Sequence, residues 1–126
     1  VLLQPTSPLR PAGMIDQCLA SIAESDSTSL ISVSEPIQHP ADCFIWEDGR
    51  YTNVLSNKGV TRRQDFPKVV FANGSVYISR VQYIMTEKKL INYDDCIYYE
   101  VEQMFGIDID TEFDLKLADF FISLGS

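Results

Sequence analysis

At 126 residues, with 45% hydrophobic and 11% aromatic content, the chain is long enough for one modest core and too apolar to be disordered over any long stretch. Its formal charge of −8 argues against long nucleic acids, whose affinity rests on Lys and Arg at phosphates. No apolar run approaches the roughly 20 residues that a membrane helix needs.

Val1-Leu2-Leu3 reads as the apolar end of a buried strand, with no signal-peptide layout, as in a chain entered midway. Gln4-Pro5-Thr6-Ser7-Pro8-Leu9-Arg10 follows, an extended loop fixed by two prolines that cannot continue a ladder. Pro11 suits the first turn of a helix, and Met14, Ile15, Cys18, Leu19 and Ile22 recur at helical spacing. Leu30-Ile31-Ser32-Val33 is the next strand, expected beside the first as a parallel βαβ unit. Phe44-Ile45-Trp46 and Tyr51-Thr52-Asn53-Val54 flank Asp48-Gly49 and predict a hairpin. Ser56 to Arg63 is polar and loop-like.

Val69-Val70-Phe71 and Ser75-Val76-Tyr77-Ile78 are two β-rich pieces around Asn73-Gly74, a pair that by itself marks a turn. A short helix over 81–89 and a strand at Ile97–Val101 complete the middle. A final helix carries Phe113, Leu117, Phe120, Phe121 and Leu124 on one face, read as core. The organisation is α/β: one domain over 1–126 with a β-rich insertion at about 38–72. That insertion exposes Phe44, Trp46, Tyr51 and Phe66 on elements too thin to bury them, and a second copy of the chain is the simplest cover.

Three scattered cysteines, Cys18, Cys43 and Cys96, and the single His39 make no zinc site. The odd thiol count favours a reducing, cytoplasmic setting. Chemistry concentrates instead in Ile107-Asp108-Ile109-Asp110, where apolar and acidic residues alternate. Strand alternation would place Asp108 and Asp110 side by side on one face. Two such carboxylates repel unless a proton or cation intervenes, and Mg²⁺ takes oxygen ligands of this kind. The alternative is an acidic strand end tolerated by the N-terminus of the following helix without any metal. Thr111 with Asp114 is a variant capping box that opens that helix.

Arg62 and Arg63 offer planar donor forks for a carboxylate or phosphate, or form a solvated basic turn. Gln4 could donate to a sugar hydroxyl or satisfy its own loop. Four stretches, in order and at matching spacing, resemble the sugar-acid cytidylyltransferases, in particular the CMP-N-acylneuraminate synthetases. They are Leu3–Arg10; Arg62-Arg63-Gln64-Asp65 with Pro67-Lys68; Asn73-Gly74-Ser75-Val76-Tyr77; and Asp108-Ile109-Asp110-Thr111.

The resemblance implies a partial doubly wound, Rossmann-like nucleotidyltransferase sheet with a dimerisation arm. It implies a reaction that joins CTP to the anomeric hydroxyl of a nine-carbon sugar acid and releases pyrophosphate. On it, Asp108 and Asp110 match the Mg²⁺-binding pair, and Gln4 matches a sugar-acid contact. Arg63 and Gln64 match arm residues that reach the neighbouring subunit's sugar site. Asn73 and Tyr77 lie in the motif returning the chain to the sheet and count with the substrate-binding residues. No catalytic residue is assigned.

Family members begin with a glycine- and lysine-containing phosphate loop, and none of Gly13, Gly49, Gly59, Gly74, Gly106 or Gly125 falls in such a pattern. Some relatives also carry an extra arginine where this chain has Val60. The expectation is a C-terminal portion of a CMP-sugar-acid synthetase, a truncated chain inactive alone. The alternative is a non-catalytic remnant serving as a dimerising binding or structural module.

Overall fold

The computed structural model describes residues 1–55 and 62–124, with the side chain of Arg63 outside the described set. Most of the loop expected over Ser56–Arg63 therefore lies outside the described residues. These fall into two compact units, one of residues 1–34 and 72–126 and one of residues 35–71.

The first unit is built on strand β1 (Ser29–Ser34), which is buried along its whole length. Continuous burial is what a central strand covered on both faces requires. β4 (Phe71–Ser79) and β5 (Cys96–Glu100) flank β1, giving the order β4-β1-β5. β1 and β5 run parallel, with Leu30 opposite Ile97 and Ser32 opposite Tyr99. Helix α1 (Met14–Ala23) lays Met14, Cys18 and Ile22 onto Leu30, Val76 and Ile78 to form the core. The expected stripe is thus present, although Leu19 is exposed. The helix also starts three residues after Pro11, because Gly13 at φ 78° supplies the turn into it.

The opening residues do not pair with β1. Leu2 forms an antiparallel bridge with Tyr77, donating its N–H at 2.8 Å and accepting at 3.0 Å, so β4 lies between Leu2 and β1. Asn73-Gly74 does not reverse the chain either. β4 runs straight through it, with Gly74 at φ 76° and the Asn73 Oδ1 accepting from the Ser75 N–H at 3.1 Å. The left-handed residue and the side-chain bond make a kink within one strand.

Helix α2 (Val81–Glu87) follows β4 and stops at Lys88, which adopts φ 56°. Helix α3 (Glu112–Leu124) closes the unit, but its aromatic face is not core. Phe113 is 72% exposed and Phe120 and Leu124 are also exposed, whereas Ala118 is buried and Leu117 and Phe121 are half-buried. The helix makes its fully buried contact through a small residue, Ala118, while Phe113, Phe120 and Leu124 stay exposed.

The second unit holds the hairpin of β2 (Phe44–Glu47) and β3 (Arg50–Asn53). Both turn residues have positive φ, 50° at Asp48 and 79° at Gly49, the backbone of a tight hairpin turn whose twist matches its strands. Phe44, Trp46 and Tyr51 are exposed as expected, with the Trp46 and Tyr51 rings 4.7 Å apart. Phe66 instead is half-buried, stacked on His39 at 4.9 Å. No described helix is long and apolar enough to cross a membrane.

Candidate functional site

Three segments of the first unit converge beside β4: the proline-fixed loop, the kink at Asn73–Ser75, and the chain entering α3. The loop closes on itself where the Ser7 N–H donates to the Gln4 carbonyl at 3.2 Å. Arg10 then straps the loop to the strand, its Nη1 donating to the Gln4 carbonyl at 3.0 Å and to the Ser75 carbonyl at 3.2 Å. The Ile109 N–H reaches the Thr6 carbonyl at 2.8 Å, and Ser75 Oγ donates to the Phe105 carbonyl at 3.1 Å.

Asn73 is buried, and its amide is used within the protein. Ser32 Oγ donates to its Oδ1 at 2.6 Å, and its Nδ2 donates to Ser34 Oγ at 2.8 Å. These bonds explain how a central strand can carry Ser32 and Ser34 without orphaned hydroxyls. Gly106 lies against this network, since a Cβ there would come within 2.5 Å of Ser34 Oγ and 3.1 Å of Asn73 Cβ.

Residues 107–110 are not a strand. A 3-10 turn at Gln103–Gly106 precedes them, and the one backbone bond at Ile109 does not make a ladder. Ile107, Asp108 and Ile109 are all half-buried and only Asp110 is exposed, so the clean two-sided alternation is absent. Asp108 Oδ1 is buried with no hydrogen-bond partner among the described residues. Its charge, after burial and Tyr93, contributes to holding the Tyr77 phenol above its ordinary pKa. Tyr77 and Tyr93 also line a cavity of about 560 Å³ together with Tyr83, Lys89 and Leu90.

The capping box before α3 forms as expected. Asp114 Oδ2 accepts from the Thr111 N–H at 2.8 Å, Thr111 Oγ1 at 2.7 Å and the Asp110 N–H at 3.2 Å. These bonds, the Thr111 hydroxyl first, hold the Asp114 carboxyl below its usual pKa.

Among the described residues no group of three or more His, Cys, Asp or Glu could hold a metal ion. Asp108 and Asp110 therefore offer at most two protein ligands, the number that suits a Mg²⁺ whose remaining shell is water and phosphate. The orphaned Asp108 oxygen fits such an ion.

Gln64 is exposed on the 3-10 turn at Arg63–Asp65 in the second unit. Arg10 and Gly106 were missed in the sequence reading. The signal for Gly106 was the serine-rich β1, whose buried hydroxyls demanded close partners.

No protein-family model matches the chain. It is 32% identical to the N-acylneuraminate cytidylyltransferase of Streptococcus agalactiae serotype V over 116 residues, 90% of this chain and 28% of that protein. Against N-acylneuraminate cytidylyltransferase B of Danio rerio it is 28% identical over 124 residues, 93% of this chain and 28% of the other. Against the post-translational flagellin modification protein B of Campylobacter coli it is 23% identical over 121 residues, 95% of this chain and 51% of the other. The chain thus spans under a third of the length of the cytidylyltransferases it matches. Over nine-tenths of its own length, the chain is similar in sequence to N-acylneuraminate cytidylyltransferases.

Proposed function

We propose that this stretch supplies the sugar-acid and metal side of a cytidylyltransferase that joins CTP to an acylneuraminate-type sugar acid. The observation that carries the reading is the 32% identity across 90% of the chain to a protein of that activity. The orphaned Asp108 oxygen beside Tyr77 supports it.

In this reading Asp108 and Asp110 hold Mg²⁺, which when bound neutralises charge on the nucleotide phosphates. Gln4 donates to the sugar acid, and the cavity flanked by Tyr77 receives its bulk. Asn73 acts indirectly, by holding the kink that presents Gly74 and Tyr77. Arg63 and Gln64 serve a neighbouring subunit, and the chain is a homodimer joined through the hairpin that exposes Phe44, Trp46 and Tyr51. The setting is cytoplasmic, in keeping with three free thiols.

These 126 residues contain no glycine-rich phosphate loop, and such a cradle supplies much of the electrostatic stabilisation in phosphoryl chemistry. By itself the chain is therefore a dimerising binding module without turnover.

A chimaera tests the reading. This chain replaces the matching stretch of the Streptococcus agalactiae protein, and pyrophosphate release is followed with CTP, N-acetylneuraminate and Mg²⁺. The chimaera turns over and its Asp108→Ala variant does not, while the isolated chain is silent. A folded chimaera without turnover refutes the assignment.

A further inference from the structure

Gln4 is held in an unusual way. Its carbonyl accepts from both the Ser7 N–H and Arg10 Nη1, so its backbone is fixed at two points. Its side chain makes no hydrogen bond among the described residues, yet it is only half-exposed. Shape supplies the constraint. The carboxamide oxygen lies over Gly74, in the space that a Cβ on any other residue would fill. Ser7 Oγ bounds the same notch, 3.1 Å from that Cβ position, and is itself tied to the Asn73 carbonyl at 3.4 Å. Gly74 also carries φ 76°, so its backbone favours glycine, and a Cβ there would push the flexible end of the Gln4 side chain out of the notch.

An amide seated by shape, with its donors unspent, is poised for a ligand. Building a notch and a double backbone anchor around Gln4 is unnecessary if it serves only its own loop, because the Gln4 carbonyl alone closes that loop.

We propose that Gly74 and Arg10 are positioning residues that fix the Gln4 carboxamide as a preformed hydrogen-bond donor to a polyhydroxylated sugar acid. This deepens the functional reading above and rests on it for the nature of the ligand. Gly74 acts by the absence of a Cβ. Arg10 acts by bracing the Gln4 carbonyl against the Ser75 carbonyl, one residue beyond the kink. Preorganisation of this kind lowers the ordering cost of binding rather than adding a contact.

The Gln4 side-chain amide signals of the ¹⁵N-labelled 126-residue chain report the positioning directly. They should be dispersed and ordered in the parent, and should move to the averaged position of a free glutamine in Gly74→Ala and Arg10→Met. N-acetylneuraminate should shift them in the parent and at least tenfold less effectively in either variant. If Gly74→Ala does not fold, the double variant Gln4→Ala/Gly74→Ala decides. The collision disappears with the Gln4 side chain while the strain at φ 76° remains, so the double variant should melt above Gly74→Ala and below the parent.

Averaged Gln4 amide signals in the parent, or a double variant no more stable than Gly74→Ala, overturn the positioning role whatever the ligand. Ordered signals released by both variants but unmoved by saturating N-acetylneuraminate overturn the sugar-acid assignment instead.

Discussion

Replacing Asn73 by alanine probes the polar centre of the first unit. The side chain is 2% exposed and makes three hydrogen bonds, to Ser32 Oγ at 2.6 Å, Ser34 Oγ at 2.8 Å and the Ser75 N–H at 3.1 Å. Each is worth about 1 kcal/mol net, and a buried donor left unpaired costs more. Ser32 Oγ keeps Val76 as a partner and Ser34 Oγ keeps the Val101 carbonyl, so their loss is partial. The Ser75 N–H has no replacement in that network. The expected total is about 3 kcal/mol, a large share of the roughly 5–15 kcal/mol of a small domain. Urea denaturation of parent and variant measures it as a fall in midpoint at unchanged slope. A loss below about 1 kcal/mol would show that water or a shifted backbone replaces the amide, and the network argument would fail.

Other perturbations separate the remaining roles. Gly106→Ala should cost about 1–3 kcal/mol by driving a methyl into Ser34 and Asn73, and should not simply add to Asn73→Ala, which keeps the Asn73 Cβ but frees the Ser34 hydroxyl to move; a urea double-mutant cycle checks this. Asp114→Ala should lower the melting temperature at neutral pH. Because the Asp114 pKa lies below its ordinary 3.8, that stabilisation is complete above the unfolded value and fades as pH falls through the lower folded one. Melts of both proteins should therefore converge below about pH 4 and stay parallel from pH 5 to 7. With about 10 mM Mn²⁺ and an affinity near 1 mM, the parent should gain about 1.4 kcal/mol, a gain absent in Asp108→Asn. Equal shifts in both proteins would dissociate Asp108 from metal binding. Sedimentation equilibrium should show a dimer that Trp46→Ser weakens, and a parent that is monomeric at tens of micromolar contradicts the hairpin interface.

Much of the fold was legible where a local signal met no competing one. Met14, Cys18 and Ile22 share a helical stripe, Asp48-Gly49 satisfies a turn needing positive φ twice, and Thr111 with Asp114 caps α3. The failures have a common cause, since tertiary partners decide between local options. Asn73-Gly74 by itself marks a turn until Ser32 and Ser34 engage the Asn73 amide and keep the strand in the sheet. Ile107–Asp110 alternates like a strand, but among the described residues only Ile109 gains a backbone partner, at Thr6, and one bond is no ladder. The aromatic stripe of α3 has helical periodicity, yet periodicity says which residues share a face and not what lies against that face.

The acidic segment had two readings from spacing, a cation site or a helix cap, and the structure divides these jobs among different residues. Asp114 accepts the donors at the start of α3, from the Thr111 N–H, the Thr111 hydroxyl and the Asp110 N–H. The helix N-terminus is therefore served without the Asp108 or Asp110 carboxylates. Asp108 keeps a buried oxygen with no hydrogen-bond donor among the described residues. A buried acceptor left in this state is costly unless something outside the described chain completes it. Asp110, exposed two residues on, is the second carboxylate of the proposed pair, and an ionised carboxylate cannot donate to it. The proposed divalent cation would meet both conditions, and its need for further oxygen ligands would let a phosphate-bearing substrate complete the site.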